Sequence, residues 1–206
     1  VSAFYPFFPE GRLVRVHFII GRSSGETPNP DRATLEHAVE EIVRTWADGL
    51  AEALTLTHEP GKSQPLVRRY RDAFPLGYRE AYSPQVAVGD IRQVETLSPI
   101  RPLGADVYAR TDGDKACAGL KVWSRERPIP LSERVPVLEN MGFKVVDERT
   151  YRIVPGEAEV WLHDMMLERA DGQAFDLDAT KGRLESAFMM VMRGRAENDG
   201  YNAPLQ

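Results

Sequence analysis

An α+β fold is the class this sequence predicts, and three observations carry it. Apolar residues recur at spacings of three and four through the first half, alternation at a period of 2 takes over after residue 105, and the second half carries two hairpin signals. The order read there is strand, strand, helix, strand, strand, helix, preceded by one strand and a mainly helical segment.

The first strand is "RLVRVHFII". Val14, Val16, Phe18 and Ile20 alternate with Leu13, Arg15, His17 and Ile19, and the first set is expected to face a core. Ahead of it, "FYPFFP" is an aromatic segment that is costly to leave in water unless something covers it. "GRSSGETPNPD" is a loop; Gly21 and Gly25 lack the spacing and the lysine of a phosphate-binding loop. Asn29-Pro30 is expected to open a helix, with Asn as the cap and Pro in the first turn. Leu35, Val39, Ile42, Trp46, Leu50 and Leu54 then form one buried stripe on a single helix running to about residue 57.

"HEPGKSQP" is expected to break that helix. "LVRRYRDAF", "PLGYREAY" and "SPQVAVGDIRQVETL" follow as short helices cut by Pro75 and the Ser83-Pro84 cap. "LSPIRPLGA" reads as a linker, which divides the chain into 1–100 and 101–206.

In the second part, "DVYAR" and "ACAGLKVWS" are strands joined through Asp112-Gly113, a tight-turn signal, so 106–111 should pair antiparallel with 117–124. "LSERVPVLENMG" is a helix closed by Gly142. "FKVVDERTYRIV" and "AEVWLHDMMLER" flank Pro155-Gly156 as a second hairpin. "DLDATKGRLESAFMMVMRG" is the last helix, with Asp176 or Asp178 near its positive end. Moving the last strand of a ferredoxin-like sandwich to the front gives this order. A four-stranded antiparallel sheet is therefore predicted, with helices 131–141 and 177–193 on one face. In "VWLHDMML", Trp161, Met165 and Leu167 lie on one side and Val160, Leu162 and Met166 on the other. Both sides are apolar, so the second face should be covered as well, by the helical segment around 30–97 or by other domains.

Composition bounds the function. Hydrophobic residues at 42% and charged residues at 28% fit an ordinary globular chain. The formal net charge of -5, with no basic patch, argues against a nucleic-acid partner. The longest apolar run falls short of the roughly 18–20 residues a membrane helix needs. The start of the chain lacks a basic-then-apolar signal pattern, so a cytoplasmic location is expected. Cys117 is the only cysteine, which excludes an internal disulfide and suits a reducing compartment; its strand setting makes it an inert packing residue.

Catalytic candidates are few. His163 and Asp164 are neighbours in a strand and point to opposite faces, so they are not expected to act together on one atom. His17 reads as a solvated histidine, while His37 and His58 lack metal-ligand spacing. Arg68-Arg69-Tyr70-Arg71 reads as a solvated helix face. The residues themselves predict no catalytic, cofactor-binding or metal site.

With "RYRDAFPLGYREAYSPQVAVGDI", "RPIPLSERVPVLENMGFKVVDERTY", "VWLHDMMLE" and "AENDGYN" in that order, the chain resembles the interior of the large bacterial NAD-specific glutamate dehydrogenases. The resemblance implies a stretch upstream of the catalytic region, in an N-terminal part built of ACT-like domains. It further implies a regulatory or scaffolding fragment that is not itself catalytic. The reaction implied for the parent is oxidation of L-glutamate by NAD and water to 2-oxoglutarate, ammonium and NADH, a step of amino-acid catabolism. NAD is then the parent's cofactor, and this fragment holds none. The implied partners are the other domains of the parent chain and further copies of it in a homo-oligomer. Val1 at the start and the abrupt "AENDGYNAPLQ" lead to the expectation that both ends are cuts.

"ERPIPLSERVPVLENMGFKVV" also resembles the strand-loop-helix of ACT modules that bind amino acids where this loop meets a neighbouring domain. That resemblance makes Arg127, Pro128, Ser132 and Gly142 an effector loop, although Ile129 follows Arg127-Pro128 where those modules favour glycine. Two other readings stand beside the first. One is a free-standing ACT-type module that senses amino acids; the other is a small enzyme, which would need a convergent acid, base or nucleophile.

Overall fold

The computed structural model describes residues 3–7, 15–21, 25, 29–112, 115–173 and 176–205. Leu13 and Val14, most of the loop before residue 29, and Gly113 of the first hairpin signal lie outside the described residues. The chain divides into two compact units, Val1–Arg44 and Thr45–Gln206.

In the first unit, β1 (Ala3–Phe7) pairs antiparallel with β2 (Arg15–Ile19), Tyr5 opposite His17 and Pro6 opposite Val16. The pairing of β1 was not legible, since a proline inside five residues argues against a strand; a ribbon edge tolerates it. Helix α1 (Arg32–Val43) completes the unit. Val16, Phe18 and Ile20 are exposed rather than core, and so are Leu35, Val39 and Ile42. A two-stranded ribbon and one helix offer too little surface to enclose them.

The long helix expected to reach residue 57 is two helices. Asp31, not Asn29, caps α1, accepting from the Thr34 amide at 2.7 Å. The backbone turns extended at Arg44, and Thr45 starts α2 (Trp46–Thr57). Thr45 and Asp48 form a capping box, the Thr45 hydroxyl accepting from the Asp48 amide at 3.2 Å and Asp48 accepting from the Thr45 amide at 3.1 Å.

The expected break at 58–65 shrinks to His58 and Glu59, because α3 (Pro60–Tyr70) begins at Pro60. Proline in the first turn forfeits no intrahelical bond, so the signal read as a breaker is a helix start. After α4 (Leu76–Ala81), Ser83 caps α5 (Pro84–Thr96).

The sheet consists of β3 (Leu103–Asp112), β4 (Lys115–Arg125), β5 (Phe143–Ile153) and β6 (Val160–Arg169), in the order β3-β4-β6-β5 and antiparallel throughout. This is the permuted ferredoxin-like arrangement, with β3 as the edge strand beside β4 and starting three residues before the predicted 106. Helices α6 (Leu131–Asn140) and α7 (Leu177–Met192) cover one face, and Asp176 caps α7.

Alternation sorts the sheet's side chains into two cores. Leu120, Val122, Met165 and Leu167 pack with Val137 and Leu138 of α6 and with Leu184 and Phe188 of α7. Trp123, Tyr151, Ile153 and Leu162 pack on the other side with Leu50 and Leu54 of α2, Phe74, Tyr78 of α4 and Ile91 of α5. The second face is thus covered by α2–α5.

Candidate functional site

The seam between α4–α5 and the sheet buries the charged residues Asp90, Lys121 and Asp164. Helix α5 buries Ala87, Val88, Ile91 and Val94, and the same stripe carries Asp90, only 3% exposed. Opposite it, alternation along β4 turns Lys121 inward at 5% exposure. The Lys121 ammonium donates to both Asp90 oxygens, at 2.8 and 2.7 Å, and lies 4.4 Å from the centre of the Tyr82 ring. The Tyr78 hydroxyl donates to the same carboxylate.

A second carboxylate adjoins the first. Asp164 on β6, 1% exposed, accepts from the Tyr108 hydroxyl at 2.7 Å and from the Tyr82 hydroxyl, with an Arg110 guanidinium nitrogen 3.9 Å away. Burial first, and the neighbouring carboxylates after it, push the Tyr78, Tyr82 and Tyr108 phenols well above their ordinary range. Burial also raises Asp90, opposed by the Lys121 charge and its hydrogen bonds.

Ions taken out of water cost several kcal/mol each unless geometry and hydrogen bonds compensate. Here each carboxylate is bridged by groups from other elements. Asp90 ties α5 to α4 and β4, and Asp164 ties β6 to β3 and to Tyr82 at the end of α4. The phenols stay protonated as donors and the ammonium is ion-paired, so the arrangement positions two layers against each other. Beside it opens a cavity of about 470 Å³, lined by Tyr82, Arg92, Gln93, Asp106, Tyr108 and Lys121 among others.

The loop singled out in the sequence, between β4 and α6, lies against the opposite face. The exposed Arg127 reaches Glu133 at 3.3 Å, and its carbonyl accepts from the Ser124 hydroxyl at 2.7 Å. Pro128 leads into Ile129, which is buried. The Ile129 amide donates to Nε2 of the buried His163 at 3.0 Å, and its carbonyl accepts from the buried Arg134. Arg134 also pairs with Glu148 at 2.5 Å.

His163 Nδ1 lies 2.9 Å from the Thr150 hydroxyl, so the ring bridges the loop to β5. Burial, and after it the Arg134 charge, push His163 down to about 4, against the pull of Glu148. Accepting the Ile129 amide through Nε2 requires this neutral form. Ser132 is exposed in the first turn of α6, whereas Gly142, at φ +84°, closes the far end of that helix. Arg127, Pro128 and Ser132 share one loop and helix start; Gly142 lies roughly 15 Å along the helix from them at ~1.5 Å per residue.

His163 and Asp164 do point to opposite faces, as read from the strand. The partners of Asp164 were missed, because Tyr82 and Tyr108 stand 82 and 56 positions away. One signal was present: Asp90 and Lys121 are charged residues set inside apolar stripes. Arg69 also does more than face solvent, since it donates to the Pro155 carbonyl at 2.7 Å and pairs with Glu95 at 3.0 Å. Among the described residues, no group of three or more His, Cys, Asp or Glu is arranged to hold a metal ion, and no helix is long and apolar enough to cross a membrane.

Residues 102–180 match the family described as glutamate dehydrogenase, ACT3 domain; residues 53–97 match glutamate dehydrogenase, helical motif 2; residues 1–47 match glutamate dehydrogenase, ACT2 domain. The NAD-specific glutamate dehydrogenase of Halomonas elongata is 34% identical over 200 residues, covering 97% of this chain and 12% of that protein. The protein of the same name from Pseudomonas aeruginosa is 32% identical over the same shares, and that of Mycobacterium tuberculosis is 26% identical over 84% of this chain and 11% of its own length. The chain spans about an eighth of the relatives it matches.

Proposed function

Because the chain is a region of the large NAD-specific glutamate dehydrogenases, comprising their ACT2, helical-motif-2 and ACT3 domains, we propose that it regulates and scaffolds the parent enzyme and performs no chemistry itself. The observation that carries this reading is the seam: every buried ionic group there is spent on joining the helical motif to the ACT-like sheet. The parent would oxidise L-glutamate with NAD to 2-oxoglutarate and ammonium in the cytoplasm, using residues outside this chain. Its other domains, and further copies in a homo-oligomer, are the partners. The exposed Phe4, Tyr5, Phe7 and Phe18 support a protein partner.

An amino-acid effector would approach this region along Arg127, Pro128 and the start of α6 at Ser132. It would find the Ile129 backbone already bonded to His163 and Arg134, so such an effector would contact side chains and not that peptide.

The test is Lys121→Met in the full-length enzyme that carries this region. The expected result is a substrate-saturated rate within about threefold of the parent, together with altered cooperativity or response to amino acids. A fall of about 10³-fold with the oligomer intact, the scale of losing a group that acts on the substrate, would overturn the reading.

A further inference from the structure

A second cavity, of about 320 Å³, lies where the start of β3 meets the end of α7, and it shares Gln93 with the cavity beside the seam. Three arginines line it, Arg101, Arg193 and Arg195, and all three are exposed. Among the described residues none of them meets a carboxylate; Arg193 only reaches the Leu103 carbonyl, at 3.4 Å. The one acid in the lining, Glu185, is engaged elsewhere, accepting from the Val107 amide at 2.7 Å and facing Lys181 at 3.7 Å. In a chain of formal net charge -5 this is a local surplus of positive charge.

The sheet edge supplies a further donor. Val107 turns its amide away from β4, toward Glu185, and alternation turns the amide of Ala105 the same way. The Ala105 amide has no partner among the described residues, and Ala105 lines the cavity. A strand adding along this edge would have to displace Glu185 from the next outward amide. One open amide beside three guanidinium groups suits a small acceptor.

From this juxtaposition we propose that the cavity binds a small organic anion whose carboxylate or phosphate sits between Arg101, Arg193, Arg195 and the Ala105 amide. Leu103 and Met189 line the same cavity and give its body an apolar floor. The volume is at the lower end of small-ligand sites, which limits the ligand to a compact molecule.

The test is calorimetric titration of the 206-residue chain with glutarate, orthophosphate and neutral glutaramide at constant ionic strength. The expected result is saturable binding of glutarate or orthophosphate, with none for glutaramide; whichever anion binds identifies the head group. Arg101→Gln and Arg195→Gln, both at exposed positions, should each weaken binding about tenfold, the scale of one charge-assisted hydrogen bond. Ala105→Pro removes only the outward amide, which an edge strand tolerates, and should weaken binding too. Absence of saturable binding by either anion, or binding that all three variants leave unchanged, would mean that the arginines merely complement the carbonyl end of α7, and the proposal fails.

Discussion

Tyr108 on β3 stands directly across from Gly119 on β4, and its ring lies so close over that position that a β-carbon there would overlap it. The missing side chain lets the phenol lie flat along the sheet and donate to Asp164. Gly119→Ala should therefore displace Tyr108 and cost about 1–3 kcal/mol, the range of overpacking. Urea denaturation checks this, and combining Gly119→Ala with Tyr108→Val should cost clearly less than the two changes summed. Full additivity would mean that the two residues do not compete for the space.

Lys121→Met leaves Asp90 buried beside Tyr78 with no cation. The expected loss is about 3–5 kcal/mol, the range for breaking a buried pair from one side. Lys121→Met with Asp90→Leu removes both charges and should recover much of it. A double-mutant cycle by chemical denaturation checks the coupling; a coupling energy near zero would contradict the pair's role in the seam.

Stability should fall as pH drops from about 6.5 toward 4, in part through His163. Its folded value is pushed down to about 4, below the ordinary 6.5, so in that window the unfolded chain binds more protons than the folded one. The contribution is fully present above 6.5, and its steepest slope approaches ~1.4 kcal/mol per pH unit. His163→Gln, whose side-chain oxygen can accept the Ile129 amide, should flatten this part of the profile. Melting temperatures of both chains between pH 4 and 7.5 test it, and parallel profiles would exclude His163 as the source.

The sheet was legible because its punctuation is local. Gly142 at a positive φ ends α6, Pro155-Gly156 turns β5 into β6, and alternation assigns each strand's faces. The division of the long helix was missed for a physical reason: the apolar stripe runs on through Arg44-Thr45, and only the Thr45–Asp48 capping box marks the new start. In the first unit the same periodicity misled, since it reports amphipathicity and not whether enough chain is present to bury the apolar side. The seam was the least legible part. Asp90, Lys121 and Asp164 come from three elements, and their pairing depends on how α5 docks on the sheet, which no local spacing encodes.

NADH formation from L-glutamate and NAD by the folded 206-residue chain is the measurement that bears most directly on a regulatory, non-catalytic region. The predicted result is a rate equal to the protein-free blank while circular dichroism and hydrogen exchange report an intact seam. NADH production that scales with the amount of chain and disappears in Lys121→Met would contradict the account, and would place the chemistry in the very residues that hold the two layers together.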